Sequence, residues 1–311
     1  MEFHHISVLL GESVDALEVK PGGIYADGTL GGGGHSALIC QMLNGSGVLL
    51  GIDRDKTALA AAGERLEGFD CKKILVHGNF FDIKSILKEN GIDKIDGAVL
   101  DLGVSSPQLD NAERGFSYSK ESRLDMRMNR DAELDAYKVV NTYEESRLAE
   151  LIYKYGEERY GGRIAAAIAR ERQKNAIETT TQLAEIVKKA FPRSAGYGDK
   201  HPAKRTFQAI RIEVNGELDG LDRAIGDFTD VLKKGGRLAV ITFHSLEDRI
   251  VKNTFAELAK GCVCPKDFPV CVCGKKPQVK LVTRKPIIAN EKELTDNYRA
   301  HSAKLRVIEK L

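Results

Sequence analysis

The chain has 311 residues, 42% hydrophobic and 30% charged, with 47 Lys and Arg against 45 Asp and Glu. That apolar fraction is enough for a buried core and excludes a mainly disordered chain; the composition also excludes collagen-like and coiled-coil classes. The length lies near the ceiling for one hydrophobic core, so one large domain with an insertion, or two domains, is expected.

Met1-Glu2-Phe3-His4-His5 has no basic stretch leading into an apolar one, so no signal peptide is expected. No uninterrupted apolar run approaches the roughly 20 residues of a bilayer span. A soluble cytoplasmic protein is the expectation. Gly23–Asp27 reads as a strand running into Gly28-Thr29-Leu30-Gly31-Gly32-Gly33-Gly34-His35, and Ser36–Leu43 as a helix. Gly47–Asp53, Lys73–His77 and Ile95–Asp101 read as further strands, separated by helices over Lys56–Leu66 and Ile83–Glu89. Strands alternating with short helices predict a parallel sheet, with the ligand at the C-terminal strand ends.

The rhythm stops near residue 105. Residues 105–135 read as a polar loop containing Pro107, Gly115 and Leu124-Asp125-Met126-Arg127-Met128. Leu148, Leu151, Ile152 and Tyr155 then fall at helical spacing, stopped by Gly156. A helix over Arg163–Gln173 follows. Leu183, Ile186, Val187 and Ala190 repeat the spacing behind a capping box that opens at Thr179-Thr180-Thr181-Gln182. The pattern predicts an inserted helical domain over residues 110–200, with a discontinuous core formed by 1–109 and 201–311. Within the core a helix is expected around 218–232, then a turn at Lys234-Gly235-Gly236-Arg237 and a strand over Leu238–Phe243.

Four consecutive glycines between a strand and a helix let the backbone approach a ligand closely. Asp53 ends the next strand, 22 residues after Gly31, the distance at which a carboxylate meets ribose hydroxyls in nucleotide folds. The alternative is a tight turn with a solvated acid. An NAD fold would show G-x-G-x-x-G spacing. Asp27-x-Thr29-x-Gly31-x-Gly33-Gly34-His35, with an acid before the loop and a Gly-Gly turn before a late strand, favours S-adenosylmethionine.

Eight segments occur in order: Asp27 to Ser36, Ile52 to Asp55, Asp101 to Asp110, Glu113 to Ser117, Leu124 to Met128, Tyr155 to Arg159, Arg205 to Arg211 and Phe243 to Arg249. In this series the chain resembles the bacterial ribosomal RNA small subunit methyltransferase H family from about His5 to the C-terminus. The resemblance implies an α/β fold, a Rossmann-like S-adenosylmethionine-dependent methyltransferase core with an inserted helical domain. It implies methylation of the N4 amine of a cytidine in the decoding region of 16S rRNA, with 16S rRNA or the small ribosomal subunit as partner and no membrane. It implies cofactor contacts from Gly33, Gly34 and His35 at the methionine end, Asp53 at the ribose, Phe80 on the adenine, and Asp101 with Gln108 completing the site. Core packing is the alternative for Phe80, and a ligand-free helix start for His35. A larger residue at position 32, where this chain has Gly, is expected to have little effect.

The cytosine N4 lone pair is delocalised into the ring, so the enzyme must hold the N–H groups and align nitrogen, methyl and sulfur. Other amino-methyltransferases place an acidic or polar residue followed by prolines after the fourth strand. Asp101 and Ser105-Ser106-Pro107 stand there, with the Ser106 side chain or nearby carbonyls as amine acceptors; a plain turn is the alternative. C5 methylation needs a cysteine nucleophile, and none lies between Cys71 and Cys262. His244 would order the base or relay a proton, or serve as a hydrogen-bonded structural histidine. Arg205 and Arg211 would share a helix face and meet phosphates, or form salt bridges.

Residues 260–311 hold 12 Lys and Arg against 5 Asp and Glu, which leaves the rest of the chain net acidic. A basic tail suits RNA or is a solvated surface. Within it lies Cys262-Val263-Cys264, then six residues, then Cys271-Val272-Cys273. Four thiolates in a reducing compartment suit a structural zinc, against reduced thiols or a disulfide.

Overall fold

The computed structural model describes residues 7–192, 201–264, 270 and 272–311, with Ser106 and Pro107 described by backbone alone. In chain order it begins with α1 (Leu10–Leu17), β1 (Ile24–Asp27), α2 (Gly34–Leu43), β2 (Val48–Asp53), α3 (Lys56–Leu66), β3 (Lys72–His77), α4 (Ile83–Glu89) and β4 (Ile95–Asp101). Then come α5 (Ser106–Asp110), α6 (Ala136–Thr142), α7 (Glu145–Gly156), α8 (Gly161–Arg172), α9 (Thr180–Ala190) and α10 (Lys204–Asn215). It continues with α11 (Leu221–Val231), β5 (Leu232–Thr242), α12 (Ser245–Ala259), β6 (Val279–Leu281), α13 (Glu291–Asp296) and β7 (Lys304–Lys310). The chain divides into two units, one formed by residues up to Gly103 and from Gly220 on, the other by Val104–Asp219.

The first unit is built on a seven-stranded sheet of order β3-β2-β1-β4-β5-β7-β6. β1 to β5 pair in parallel, and β7 runs antiparallel between β5 and β6. Leu49 to Ile52 of β2 and Gly97 to Leu100 of β4 are buried, as expected of central parallel strands covered on both faces. That is why they read as unbroken apolar runs.

The turn expected at 234–237 lies inside a longer strand. β5 pairs Leu232 with Ile95 and then Arg237 with Gly97, so four of its residues face one of β4. Gly235 takes φ 79° there, a left-handed conformation that glycine adopts without strain. The basic tail is also largely structure: β6, α13 and β7 lie in it. Lys304 and Arg306 bind the Asp248 carboxylate at 3.0 and 2.7 Å. Burial works against that carboxyl, but the two cations hold it below the usual carboxylate range. Lys280 pairs with Glu309 at 2.6 Å. This pairing removes part of the excess charge that the sequence offers to RNA; Lys276, Arg284 and Lys285 remain exposed.

In the second unit the Thr179 capping box forms with Gln182, starting α9 as its sequence predicts. α10 packs on α7 in this unit, whereas the sequence reading places residues 201–219 with the core. The two helices approach closely because Gly156 has no side chain: a Cβ there would lie 2.9 Å from the Arg205 carbonyl oxygen. Gln208 Nε2 donates to the Tyr155 carbonyl at 3.0 Å. Arg211 donates twice to Glu217, at 2.9 and 2.8 Å, and Arg205 lies 3.6 Å from Glu158. Both arginines therefore form ion pairs within this unit.

The polar stretch before α6 is fixed by side chains. Buried Arg114 donates to the carbonyls of Arg127 and Met128 at 2.9 and 3.1 Å. Asn215 accepts from Met128 N and donates to the Met126 carbonyl, both at 2.8 Å. Asn215→Ala leaves these buried backbone groups unmade. At ~1–3 kcal/mol for each of the two groups, the expected loss is roughly 2–6 kcal/mol. Calorimetric melting of the full chain should show it as a lower transition temperature, and an unchanged profile would remove Asn215 from this role.

Candidate active site

Parallel strands end at one edge, and β1, β2 and β4 each end there in an aspartate: Asp27, Asp53 and Asp101. The glycine loop is threaded between them. Gly28 N donates to Val99 O at 3.0 Å and Leu30 N to Ile52 O at 2.9 Å. Gly31 N donates to Asp53 Oδ2 at 2.7 Å. Gly33 takes φ 72° just before α2, where an L side chain would be strained. A Cβ on Gly34 would lie 1.8 Å from Ser7 Oγ, so any side chain there would have to displace the Ser7 hydroxyl. A Cβ at Gly32 would meet nothing within 4 Å, in keeping with the expected tolerance at that position.

Each acid is held differently. Asp53 Oδ1 accepts from Asp55 N at 2.8 Å, so both of its oxygens receive a backbone N–H. Burial pushes its carboxyl above the usual range against those hydrogen bonds. Asp27 is fully buried, accepting from Ser36 Oγ at 2.7 Å and Thr29 N at 3.2 Å. Burial pushes its pKa up to about 6, the two hydrogen bonds oppose the rise, and the Asp53 charge adds to it. Asp101 N donates to Thr29 Oγ1 at 2.6 Å, which fixes the strand end. The Asp101 side chain is 24% exposed, yet its Oδ1 is sealed and has no hydrogen-bond partner among the described residues. Burial, then the charges of Asp27 and Glu247, hold this carboxyl well above its ordinary value.

His35 is buried beside them. Its Nε2 lies 3.2 Å from Val8 O, and since a carbonyl only accepts, that nitrogen is the donor. Nδ1 lies 3.9 Å from Asp101 Oδ2, too far for a hydrogen bond. His35 thus links the N-terminal segment to the site. Phe80 is half-buried, its ring 4.7 Å from that of Phe81 and 6.4 Å from that of Phe228. It borders the loop: a Cβ on Gly28 would lie 3.0 Å from Phe80 Cβ. His244 precedes α12 as its N-cap, its Nδ1 accepting from Glu247 N at 3.4 Å while the Glu247 carboxylate receives Phe243 N at 2.9 Å. His244 Nε2 lies 3.1 Å from Glu247 Oε1, but out of line, and makes no hydrogen bond. The structural use of His244 is therefore present.

Ser105 and Gln108 belong to the second unit. Gln108 Oε1 accepts from Ser105 N at 3.1 Å and Gln108 N donates to Ser105 O at 3.1 Å, closing the start of α5. The side chains of Ser106 and Pro107 lie outside the described atoms. Cys262, Cys264 and Cys273 cluster in a surface loop; Cys271 lies outside the described residues. Asp27, Thr29 and Ser36 are absent from the site expected from sequence. The signal was the spacing Asp27-x-Thr29 ahead of the glycines, which the sequence reading used to favour S-adenosylmethionine without assigning these side chains a contact.

A sealed, unfilled carboxylate oxygen beside two further acids fits a cationic ligand. S-adenosylmethionine carries both a sulfonium and an ammonium, and the residues present suit it. The strand order, with an antiparallel strand between the last two, and this acid-lined glycine loop define a Rossmann-like S-adenosylmethionine-dependent methyltransferase. The family model of the MraW methylase family matches residues 2–311, and the chain belongs to that family. Over 311 residues and 100% of both chains it is 56% identical to the ribosomal RNA small subunit methyltransferase H of Clostridium botulinum strain Kyoto. It is 51% identical, again over 100% of both chains, to that of Clostridioides difficile strain 630. A solved rRNA methylase from Streptococcus thermophilus overlaps 98% of each chain at 14% identity and a TM-score of 0.42, a loose likeness that carries no weight.

Because folding raises the Asp27 pKa from 3.8 to about 6, its ionised form costs stability. The cost is absent below the unfolded value and complete above the folded one. Asp27→Asn should therefore stabilise the ligand-free chain at pH 8 by roughly 1–3 kcal/mol. The gain should vanish toward pH 4, and S-adenosylmethionine should bind more weakly. Scanning calorimetry at the two pH values checks this, and a variant that melts lower at pH 8 contradicts it.

Proposed function

We propose that this chain methylates the N4 amine of a cytidine in the decoding region of 16S rRNA, acting on 16S rRNA or the small ribosomal subunit in the cytoplasm. Among the described residues no helix is long and apolar enough to cross a membrane. The rRNA substrate is supported by the relatives, which are named as small-subunit rRNA methyltransferases. The N4 reading rests on the buried, unpartnered Asp101 Oδ1 at the end of β4.

When bound, S-adenosylmethionine supplies an electrophilic methyl group on a sulfonium sulfur. Gly33 and Gly34 let the backbone approach it closely. Asp53, at the end of β2 beside the loop, takes the ribose hydroxyls, and Phe80 packs on the adenine. Asp27 supplies negative charge beneath the loop. Asp101 Oδ1 accepts an N–H of the target amine, which turns the nitrogen lone pair away from the ring and toward the methyl. The same oxygen takes the proton that the nitrogen loses, and a carboxyl raised above its ordinary value is a stronger base for that task. His244 orders the base. A target inside folded rRNA must be unstacked to reach such a site. Zinc has no part in this step.

Mass spectrometry of nucleosides from small subunits treated with this enzyme should find N4-methylcytidine and no new C5-methylcytidine. Asp101→Asn should lower the rate of transfer, measured at saturating cofactor, by ~10²–10⁴, the usual contribution of a positioned proton acceptor. A C5 product, a methylated adenine or an unchanged rate in Asp101→Asn would overturn the proposal.

A further inference from the structure

Between the end of α12 and β6 the chain leaves the sheet and returns to where it left. Gln278 N donates to Leu258 O at 2.9 Å, and Lys275 pairs with Glu257, so the two ends of the loop lie against the last turn of α12. None of the described residues between Lys260 and Gln278 is buried. Val263, Val270 and Val272 are 48%, 70% and 73% exposed. Among the described residues no apolar core holds this loop, yet three of its cysteines meet. The sulfur-bearing atoms of Cys262, Cys264 and Cys273 all lie within 4.8 Å of one another.

The distances discriminate between the uses of such a cluster. Cys273 Sγ lies 3.7 Å from Cys262 Sγ, far beyond a disulfide bond of about 2.0 Å. Around a tetrahedral ion with bonds to sulfur of about 2.3 Å, two thiolates stand about 3.8 Å apart. Backbone N–H groups also point at the sulfurs. Cys264 N donates to Cys262 Sγ at 3.4 Å, Val263 N to Cys273 Sγ at 3.4 Å, and Val272 N to Cys264 Sγ at 3.3 Å. Each of the three sulfurs thus receives an N–H, which favours the thiolate and orients it as the outer hydrogen bonds of a metal centre do.

We propose that Cys262, Cys264 and Cys273 form a structural thiolate site for a soft divalent d¹⁰ cation, zinc foremost, which ties the outgoing limb of this loop to the returning one. The site is separate from methyl transfer. Its three described sulfurs set three corners of a tetrahedron. On binding, each Sγ–H releases its proton to solvent and the sulfur lone pair goes to the metal, so no oxidant or reductant is required. The cation supplies the ordering that the loop's exposed side chains do not, and fixes Lys275 and Lys276 on the same surface.

The test uses the full chain, purified in reducing buffer without chelator. Elemental analysis should find about one zinc per chain, the stoichiometry of a single such site. After zinc removal, added Co(II) should give the near-ultraviolet thiolate-to-metal charge-transfer band and the strong visible bands of a tetrahedral thiolate centre. Cys262→Ser and Cys273→Ser should lose the charge-transfer intensity and at least about ten-fold in metal affinity. Both residues are exposed, so the variants should fold, and retained S-adenosylmethionine binding would confirm it. The inference is overturned by a wild-type chain that contains no zinc and gives no charge-transfer band. It is equally overturned by serine variants that bind metal as the wild type does, or by a Cys262–Cys273 disulfide in the reduced protein.

Discussion

Three carboxylates share one edge of the sheet with little positive charge to balance them. Asp27, Asp53 and Asp101 end strands that lie next to one another, since β1 pairs with both β2 and β4. Burial raises all three, and a nearby carboxylate adds to it in each case: Asp53 for Asp27, Asp55 for Asp53, and Asp27 with Glu247 for Asp101. The fold could relieve this with a lysine or arginine and instead uses neutral donors: Ser36 Oγ, Thr29 N, Gly31 N and Asp55 N. A charge that is buried without a counter-ion is unfavourable, so the ligand-free site holds a field that a cation would relieve. The proposed cofactor binding rests on that one constraint.

The surrounding architecture keeps the acids close. The glycine loop crosses from β1 to α2 and hydrogen bonds to both neighbouring strands, which only a chain nearly free of side chains can do at such separations. Thr29 ties the loop to the backbone of Asp101, and Ser36 ties α2 to Asp27. Glu247 caps α12 and adds charge near Asp101. Polar residues that would stabilise a turn or a helix start in any protein thus also tune the site. The antiparallel β7 completes the sheet beyond β5 and carries Arg306, whose pairing with Asp248 neutralises charge away from the acids.

The first four strands were legible because buried parallel strands leave continuous apolar runs between glycine turns. The helices around Leu148, Ile168 and Leu183 were legible from their spacing, and α9 from its capping box. The C-terminal strands were not: β6 has three residues, and β7 carries Lys304, Arg306, Glu309 and Lys310 among its apolar positions, so the segment reads as charged tail. α12 was missed because histidine is an uncommon N-cap, and the Glu247 partner that completes the box looked like part of a catalytic motif. Asp53 was found from its distance to the glycines. Asp27 was passed over as a site residue because its role depends on Asp101, 74 positions later in the chain. The ion pairs of Arg205 and Arg211 depend likewise on folding. Sequence gives the residue types, and only the packing of α10 on α7 shows which acids they meet.

The central claim is that the raised acids form the cofactor site, and proton linkage tests it directly. Titrating S-adenosylmethionine into the chain by calorimetry, in buffers of differing ionisation enthalpy between pH 5 and 8, counts the protons exchanged on binding. A cation bound beside Asp27 lowers a pKa that stands at about 6, so binding near pH 6 should release protons, and affinity should weaken as the pH falls further. No proton release near pH 6, with an affinity that stays level from pH 8 to pH 5, would contradict the account.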